Sequence, residues 1–466
     1  MSAPSGDASS PLAILPSYQS SSGEPQESVW RLLPPPLRGR ATLPEEKPRA
    51  EPSEARGGST PLLGLEPACI AAFLLHALPP SQSLFRGVSR VAPPLPQVQR
   101  EAAPAQSLSN EAEVQVHDEQ ARRLVSACSD VVGARVAAGA RDVSLSGGVD
   151  SAVLCALAAR HAPGRVRAWS MEVHFADETE RRNARTVARL TGVELVDVPI
   201  PDAVLPDLFE PTVIATETPL LNARVIASFA FYAAARLLGA SVMLSGAGAD
   251  EVLRGNPDAM ASAATRIDED RKLARTVLRP LVDNLGDPRD PMPWSLADRE
   301  SSEEVRHAAW VLRELVLPPE LRGARTHRLT VHTPYLDTRF ANVALSLPES
   351  SLSREGVGKW LFRQGVRGLV PDEVRLARKT PRYGHTALSS PMRARWLELY
   401  RAWLSPSRLE PLEVIDPEAA LALLEYSTHI EPDAPEASAV DRLLMRLCSL
   451  AMLHAHAARG SSCPES

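Results

Sequence analysis

The chain has 466 residues, too many for one ordinary domain, and its 44% apolar and 23% charged residues are those of a protein with a sizeable core. Its 57 acidic and 51 basic side chains leave a net charge of −6, which argues against a dedicated nucleic-acid binder. Five cysteines, an odd number without a C-x-x-C pair, argue against a disulfide framework or zinc ribbon and for a reducing cytoplasm. There is no signal-peptide pattern, and the longest apolar run, Cys69 to Leu78, is about half of what a bilayer span needs. A cytoplasmic protein without a membrane partner is expected.

Eighteen of the 42 prolines fall in residues 1–110, which marks the first quarter as a different kind of sequence. Residues 1–58 are rich in Pro, Ser, Glu and Arg, lack periodicity, and read as irregular or disordered. Glu66 to Leu78 reads as a short helix ended by Pro79-Pro80, and Pro93 to Pro104 as a connector. From Asp118 to Ala138 the apolar positions Leu124, Val125, Cys128, Val131, Val132 and Val136 form a helical stripe.

Strands then alternate with helices. Asp142–Ser146, Val166–Val173, Val193–Val198 and Ser241–Ser245 read as strands, and Ser151–His161, Glu178–Thr191 and Leu221–Leu238 as helices. The fold class expected is α/β, a parallel sheet with helices on both faces, followed from about Ala259 by a mainly helical part.

Two glycine-rich loops carry the chemistry. In Leu145-Ser146-Gly147-Gly148-Val149-Asp150-Ser151 a strand ends and a helix begins. Two glycines let the backbone turn tightly and approach a ligand, and the helix offers unpaired N–H groups and the positive end of its dipole. Ser146 and Ser151 add hydroxyls. Asp150, an acid at an anion site, calls for a bridging cation such as Mg²⁺. The second loop, Ser245-Gly246-Ala247-Gly248-Ala249-Asp250-Glu251, also follows a strand; alone it reads as a turn with solvated acids. Together the loops form two walls of one metal–phosphate site beyond the carboxyl ends of parallel strands. His454-Ala455-His456 is not expected to bind metal, because its two imidazoles point in different directions on a helix.

These loops resemble the S-G-G-x-D-S and S-G-x-G-x-D-E motifs of the asparagine synthetase family, whose synthetase domain is an ATP pyrophosphatase of the N type. Thr333-Pro334-Tyr335-Leu336-Asp337 with Ala344-Leu345-Ser346-Leu347-Pro348 resembles the family's P-[FY]-L-D…A-L-S-L-P segment. Lys359-Trp360-Leu361 through Arg367-Gly368-Leu369-Val370-Pro371 resembles K-x-L-L-R…G-L-[LV]-P, and Arg378-Lys379 falls at the family's basic loop. The resemblance covers residues 111–458 as the synthetase domain. Ala71-Ala72-Phe73-Leu74 and Ser83-Leu84-Phe85-Arg86-Gly87-Val88 are similar to the end of the family's glutaminase domain, which makes 59–110 a remnant of it. Ser2 stands where the family has its nucleophilic cysteine, so no glutaminase activity is expected.

The resemblance implies an ATP- and Mg²⁺-dependent ligase. A small-molecule or peptide carboxylate is adenylated with loss of pyrophosphate and then attacked by an amine or by ammonia, either free or delivered by a partner protein. It implies that Ser146, Gly147, Gly148, Val149, Asp150 and Ser151 cradle pyrophosphate beside Ser245 and Gly246 of the second loop. Asp150 and Asp250 hold Mg²⁺, Lys379 stabilises the charged transition state, and the backbones of Leu145 and Met171 meet adenine. Two departures bear on the acceptor. Ala247 replaces the Glu of asparagine-forming members, and Thr330 and His332 replace the charged pair of E-x-R-x-P. The V-H-x-P-[FY]-L-D form is similar to lasso-peptide cyclases, which close macrolactams, whereas the Tyr–Glu pair of β-lactam synthetases has no evident match. A macrolactam cyclase and a nucleotide-binding pseudoenzyme are the rival readings.

Overall fold

A computed structural model of the chain describes residues 45–48, 64–79, 82–91, 110–175, 177–255, 263–280, 302–377, 387–432 and 434–461. Its centre is a five-stranded parallel sheet of order β5-β4-β3-β6-β7. The strands are β3 (Asp142–Ser144), β4 (Arg167–Glu172), β5 (Glu194–Pro199), β6 (Val242–Leu244) and β7 (Thr330–His332). The strand order reverses between β3 and β6, so the crevice between their carboxyl ends is where such sheets take ligands. A separate antiparallel pair joins β1 (Glu45–Pro48) to β2 (Val88–Val91). The irregular reading of 1–58 is corrected at those four residues; the rest of that segment lies outside the described residues.

Each strand that the alternation predicts is found: three are shortened by a residue or more at an end, and β5 is shifted by one residue from Val193–Val198 to Glu194–Pro199. β7 was not foreseen: three residues ahead of Thr333-Pro334 are too few to show a period. Its register comes instead from β6, through Val242↔Thr330 and Leu244↔His332. The buried Asp142 carboxylate stitches the sheet's amino edge. It accepts from Trp169 Nε1 (2.9 Å), Arg167 Nη2 (3.1 Å) and the Ser241 N–H (3.1 Å). Trp169 is thereby fixed as a buried packing residue.

The helices cover both faces. On one lie α2 (Asn110–Ala137), α3 (Val149–His161), α4 (Glu178–Thr191), α11 (Thr338–Ser346) and α12 (Trp360–Gly365), around a core that includes Val143, Leu154, Ala168, Tyr335 and Phe362. Asp177 starts α4, its carboxylate accepting from the Thr179 N–H at 2.7 Å. On the other face lie α5 (Leu205–Thr216), α6 (Ala223–Leu237), α10 (Leu317–Thr326), α13 (Arg393–Trp403), α14 (Pro417–His429) and α15 (Ala437–Ser461), with α1 (Pro67–Leu74) packed against them. Between β6 and α10 run α7 (Ala249–Leu253), α8 (Ala263–Arg275) and α9 (Glu303–Val311). No helix among the described residues is long and apolar enough to cross a membrane.

Candidate active site

The loop after β3 is built around its own hydrogen bonds. The Ser146 N–H donates to Ser151 Oγ (3.1 Å), Ser151 Oγ donates to the Gly148 carbonyl (3.1 Å), and the two serine hydroxyls lie 3.1 Å apart. The hydroxyl hydrogens expected to face phosphate are thus engaged in preforming the loop. What remains for an anion is the end of α3. No side chain caps its first turn, and its leading N–H groups lack intrahelical acceptors. Gly147 is required here: its φ is +88°, and a Cβ would collide with the Glu180 carbonyl of α4.

The loop after β6 lies against the first. A Cβ on Gly246 would sit 3.4 Å from Asp150 Cβ and 3.5 Å from the Ser151 nitrogen. The Ser245 N–H donates to the His332 carbonyl (2.8 Å), and Ser245 Oγ accepts from the Ala247 N–H (3.3 Å). The structure therefore brings Ser146–Ser151, Ser245, Gly246 and Asp250 into one place. Leu145 follows β3 and Met171 lies near the end of β4; their side chains pack into the cores on opposite faces of the sheet, leaving their backbones at the strand ends. Lys379 lies outside the described residues.

The residue that joins the loops is Lys359, whose ammonium pairs with Asp150 Oδ2 and, at 2.7 Å, with Asp250 Oδ1. It is 2% exposed. Burial works against its charge, but the two carboxylates outweigh burial and hold its pKa above the ordinary lysine value. Two close backbone approaches put it there. Gly358 runs over the Gly255 carbonyl where a Cβ would clash, and a Cβ on Gly255 would strike Asp250 Oδ1 and Lys359 Cε. The Lys359 N–H then donates to the Arg254 carbonyl (3.3 Å).

Two more side chains brace this arrangement. The fully buried Tyr335 donates its hydroxyl to the Asp150 carbonyl at 2.9 Å; burial raises its pKa well above the ordinary value and keeps the proton on. On α12, Arg363 donates to the Arg375 carbonyl, and Arg375 Nη1 returns a bond to the Arg363 carbonyl (3.1 Å). Asp337, another motif residue, is held by Arg135 (2.9 Å) and Arg339 (2.9 Å) and caps α11. Lys359, Tyr335 and Asp337 are letters of the sequence motifs, and only their tertiary contacts give them roles. Their separation from Asp150 hid the roles, and the available signal was that every one belongs to a motif.

The donor set suits a hard dication shared with phosphate. Asp150 Oδ1 is buried without a hydrogen-bond partner, and two carboxylates come together beside it at the strand ends. No group of three or more His, Cys, Asp or Glu gathers among the described residues, so protein ligands number two and phosphate oxygens and water would complete the shell, as Mg²⁺ prefers.

The sequence model of the asparagine synthase family matches residues 123–455, from α2 to the end of the sheet-covering helices. The chain belongs to the asparagine synthase family. Both loops, the Lys359 bridge and the whole parallel sheet lie inside the matched span. A search of curated proteins returns no similar sequence. Membership of the asparagine synthase family makes the chain an ATP-dependent amide ligase in type.

Proposed function

We propose that the protein activates a carboxylate by adenylation, with release of pyrophosphate and later of AMP. The acyl group passes to ammonia or an amine, and no glutaminase activity of its own takes part. The observation that carries this reading is the pair of glycine-rich loops at the strand-order reversal, with Asp150 and Asp250 drawn together by Lys359. A carboxylate is a poor electrophile because its charge repels nucleophiles, and activation at phosphorus needs charge neutralised and reactants held in line.

Each residue has a defined part. The first turn of α3 and the Gly147–Gly148 backbone bind the polyphosphate through N–H groups, with Ser146 and Ser151 holding the loop in shape. Asp150 and Asp250 would hold Mg²⁺, which when bound supplies positive charge to the pyrophosphate leaving group. Lys359 keeps the two carboxylates from repelling each other and aims Asp150 Oδ1 away from its own ammonium. Tyr335 pins the Asp150 backbone. Leu145 and Met171 offer backbone groups to adenine, and Lys379 stabilises charge during acyl transfer.

A macrolactam-forming cyclase is the second reading. It is favoured by His332, half-buried on β7 with its carbonyl on Ser245, and by Ala247, which brings no acid to the acceptor side. The test is ATP–pyrophosphate exchange with Mg²⁺ and a panel of carboxylates that includes aspartate, glutamate and any precursor peptide encoded nearby. Exchange with one acid is the expected result and names the substrate. Tight ATP binding with no exchange across the panel would turn the reading toward a nucleotide-binding pseudoenzyme.

A further inference from the structure

An open pocket of about 710 Å³, the solvent in its opening included, lies away from the two aspartates. Its walls are residues 73–78 and 82–85, the turn 217–221 between α5 and α6, and the π-helical turn Leu312–Val316 that joins α9 to α10. Topology sets its side of the sheet. The helices α6 and α10 return the chain to the amino ends of β6 and β7 through short loops, so their own amino ends rise on the carboxyl side. At 15 residues α6 is roughly 22 Å long. Leu221 and Pro318, at those amino ends, line the cavity.

Backbone strain gathers there. Of the non-glycine residues with positive φ among the described residues, Lys359, His76 and Glu217 are buried. Lys359 builds the aspartate bridge; His76 (φ +51°) and Glu217 (φ +51°) both line the cavity. The π-helical turn adds Glu314 and Leu315 to the same wall. Left-handed non-glycine residues and π turns persist where surrounding structure over-determines them, and both concentrate at ligand sites.

The wall holds several buried charges. Glu217 pairs with Arg322 (3.8 Å) and Glu314 with Arg313 (2.6 Å). Asp270 accepts from Arg442, at 2.7 Å. Arg446 is 1% exposed and lines the cavity. It donates through Nη1 to the Leu74 carbonyl (3.3 Å), lies 3.3 Å from His76 Nε2, and forms a long ion pair through Nη2 with Asp270 at 3.8 Å. Its Nε and Nη2 have no hydrogen-bond acceptor, although buried guanidinium groups are ordinarily satisfied. Around it the wall is apolar: Phe73, Leu84, Phe85 and Leu315.

We propose that this cavity binds a small carboxylate with an apolar body, its carboxylate on Arg446 and its body against Phe73, Leu84, Phe85 and Leu315. Binding there needs neither ATP nor turnover, so the outcome is separate from that of the ligase reading. The test is isothermal titration of the full chain, without nucleotide, using hexanoate and phenylacetate, with hexylamine and hexanol as controls. Saturable binding of at least one acid, at least tenfold tighter than either control, is expected. Arg446→Met should weaken acid binding at least tenfold. Because Arg446 also holds the Leu74 carbonyl, a second variant is Leu221→Trp, which fills the cavity from a half-buried position outside the core clusters. It should abolish acid binding while the melting temperature and ATP binding stay at wild-type values. No saturable binding of either acid, binding of hexylamine as tight as that of the acids, or acid binding that survives Leu221→Trp would overturn the proposal.

Discussion

Two buried charge clusters in this protein are built differently. At the strand ends, two carboxylates, Asp150 and Asp250, share the Lys359 ammonium, with the Arg363 guanidinium near enough to feel both. Behind residues 73–79 and 82–85, one carboxylate, Asp270, faces two guanidiniums, Arg442 and Arg446, while burial pushes the His76 imidazole below its ordinary pKa and keeps it neutral. The first cluster sits on short loops held by glycines; the second sits on the helices α8 and α15. A buried excess of either sign is costly unless something of opposite sign completes it. As proposed, the first cluster takes a cation with polyphosphate and the second a carboxylate.

The largest effect should come from removing the bridge itself. Lys359→Met removes the buried ammonium and leaves two half-buried carboxylates side by side, at a cost of about 3 kcal/mol, the lower end for a broken buried pair. Urea unfolding should show that loss, and pyrophosphate exchange should fall at least a hundredfold. A variant of wild-type stability would break the account of the first cluster. Asp270→Asn tests the second by leaving Arg442 and Arg446 without their carboxylate. Its destabilisation should be similar or slightly smaller, about 3 kcal/mol, but ATP affinity, measured on the folded fraction, should hold.

A further buried acid sharpens the contrast, since the nearby Arg442 lowers its pKa less than burial raises it. Asp441 on α15 accepts from Tyr400 Oη (2.8 Å) and the Ala387 N–H (2.8 Å), yet burial outweighs these bonds and pushes its pKa from 3.8 up to about 6. Between those values the folded protein keeps a proton that the unfolded chain releases. The contribution is complete below pH 3.8 and is lost as pH rises through about 6, by about 3 kcal/mol in all. Asp441→Asn should flatten the difference in melting temperature between pH 4 and pH 6.5 relative to wild type. The smallest change is Tyr335→Phe, which removes one hydrogen bond to the Asp150 carbonyl and should cost about 1 kcal/mol. Exchange activity should fall only a few-fold, which a pyrophosphate-exchange assay resolves.

What could be read without coordinates was local. Ser146 to Ser151 and Ser245 to Glu251 announce themselves because a tight turn, a helix start and an acid occupy consecutive positions. β7 was invisible, since three residues carry no period and their pairing belongs to β6. Lys359 was legible as a motif letter but not as the partner of Asp150, from which 209 positions separate it. The Ser146 and Ser151 hydroxyls were expected to point at phosphate, and only the loop's hydrogen bonds show them engaged with one another.

The amino-acid sequence by itself determined the alternating strands and helices, the two glycine-rich loops and the family, because backbone preference and hydrophobic period act over a few neighbours. The tertiary structure alone decided which charges meet. Lys359 reaches both aspartates because Gly255 and Gly358 let distant backbones touch. Arg446 lines a cavity because α1, α5, α10 and α15 pack together around it. Charge balance in a low-dielectric interior depends on distances of a few ångströms, and packing sets those distances.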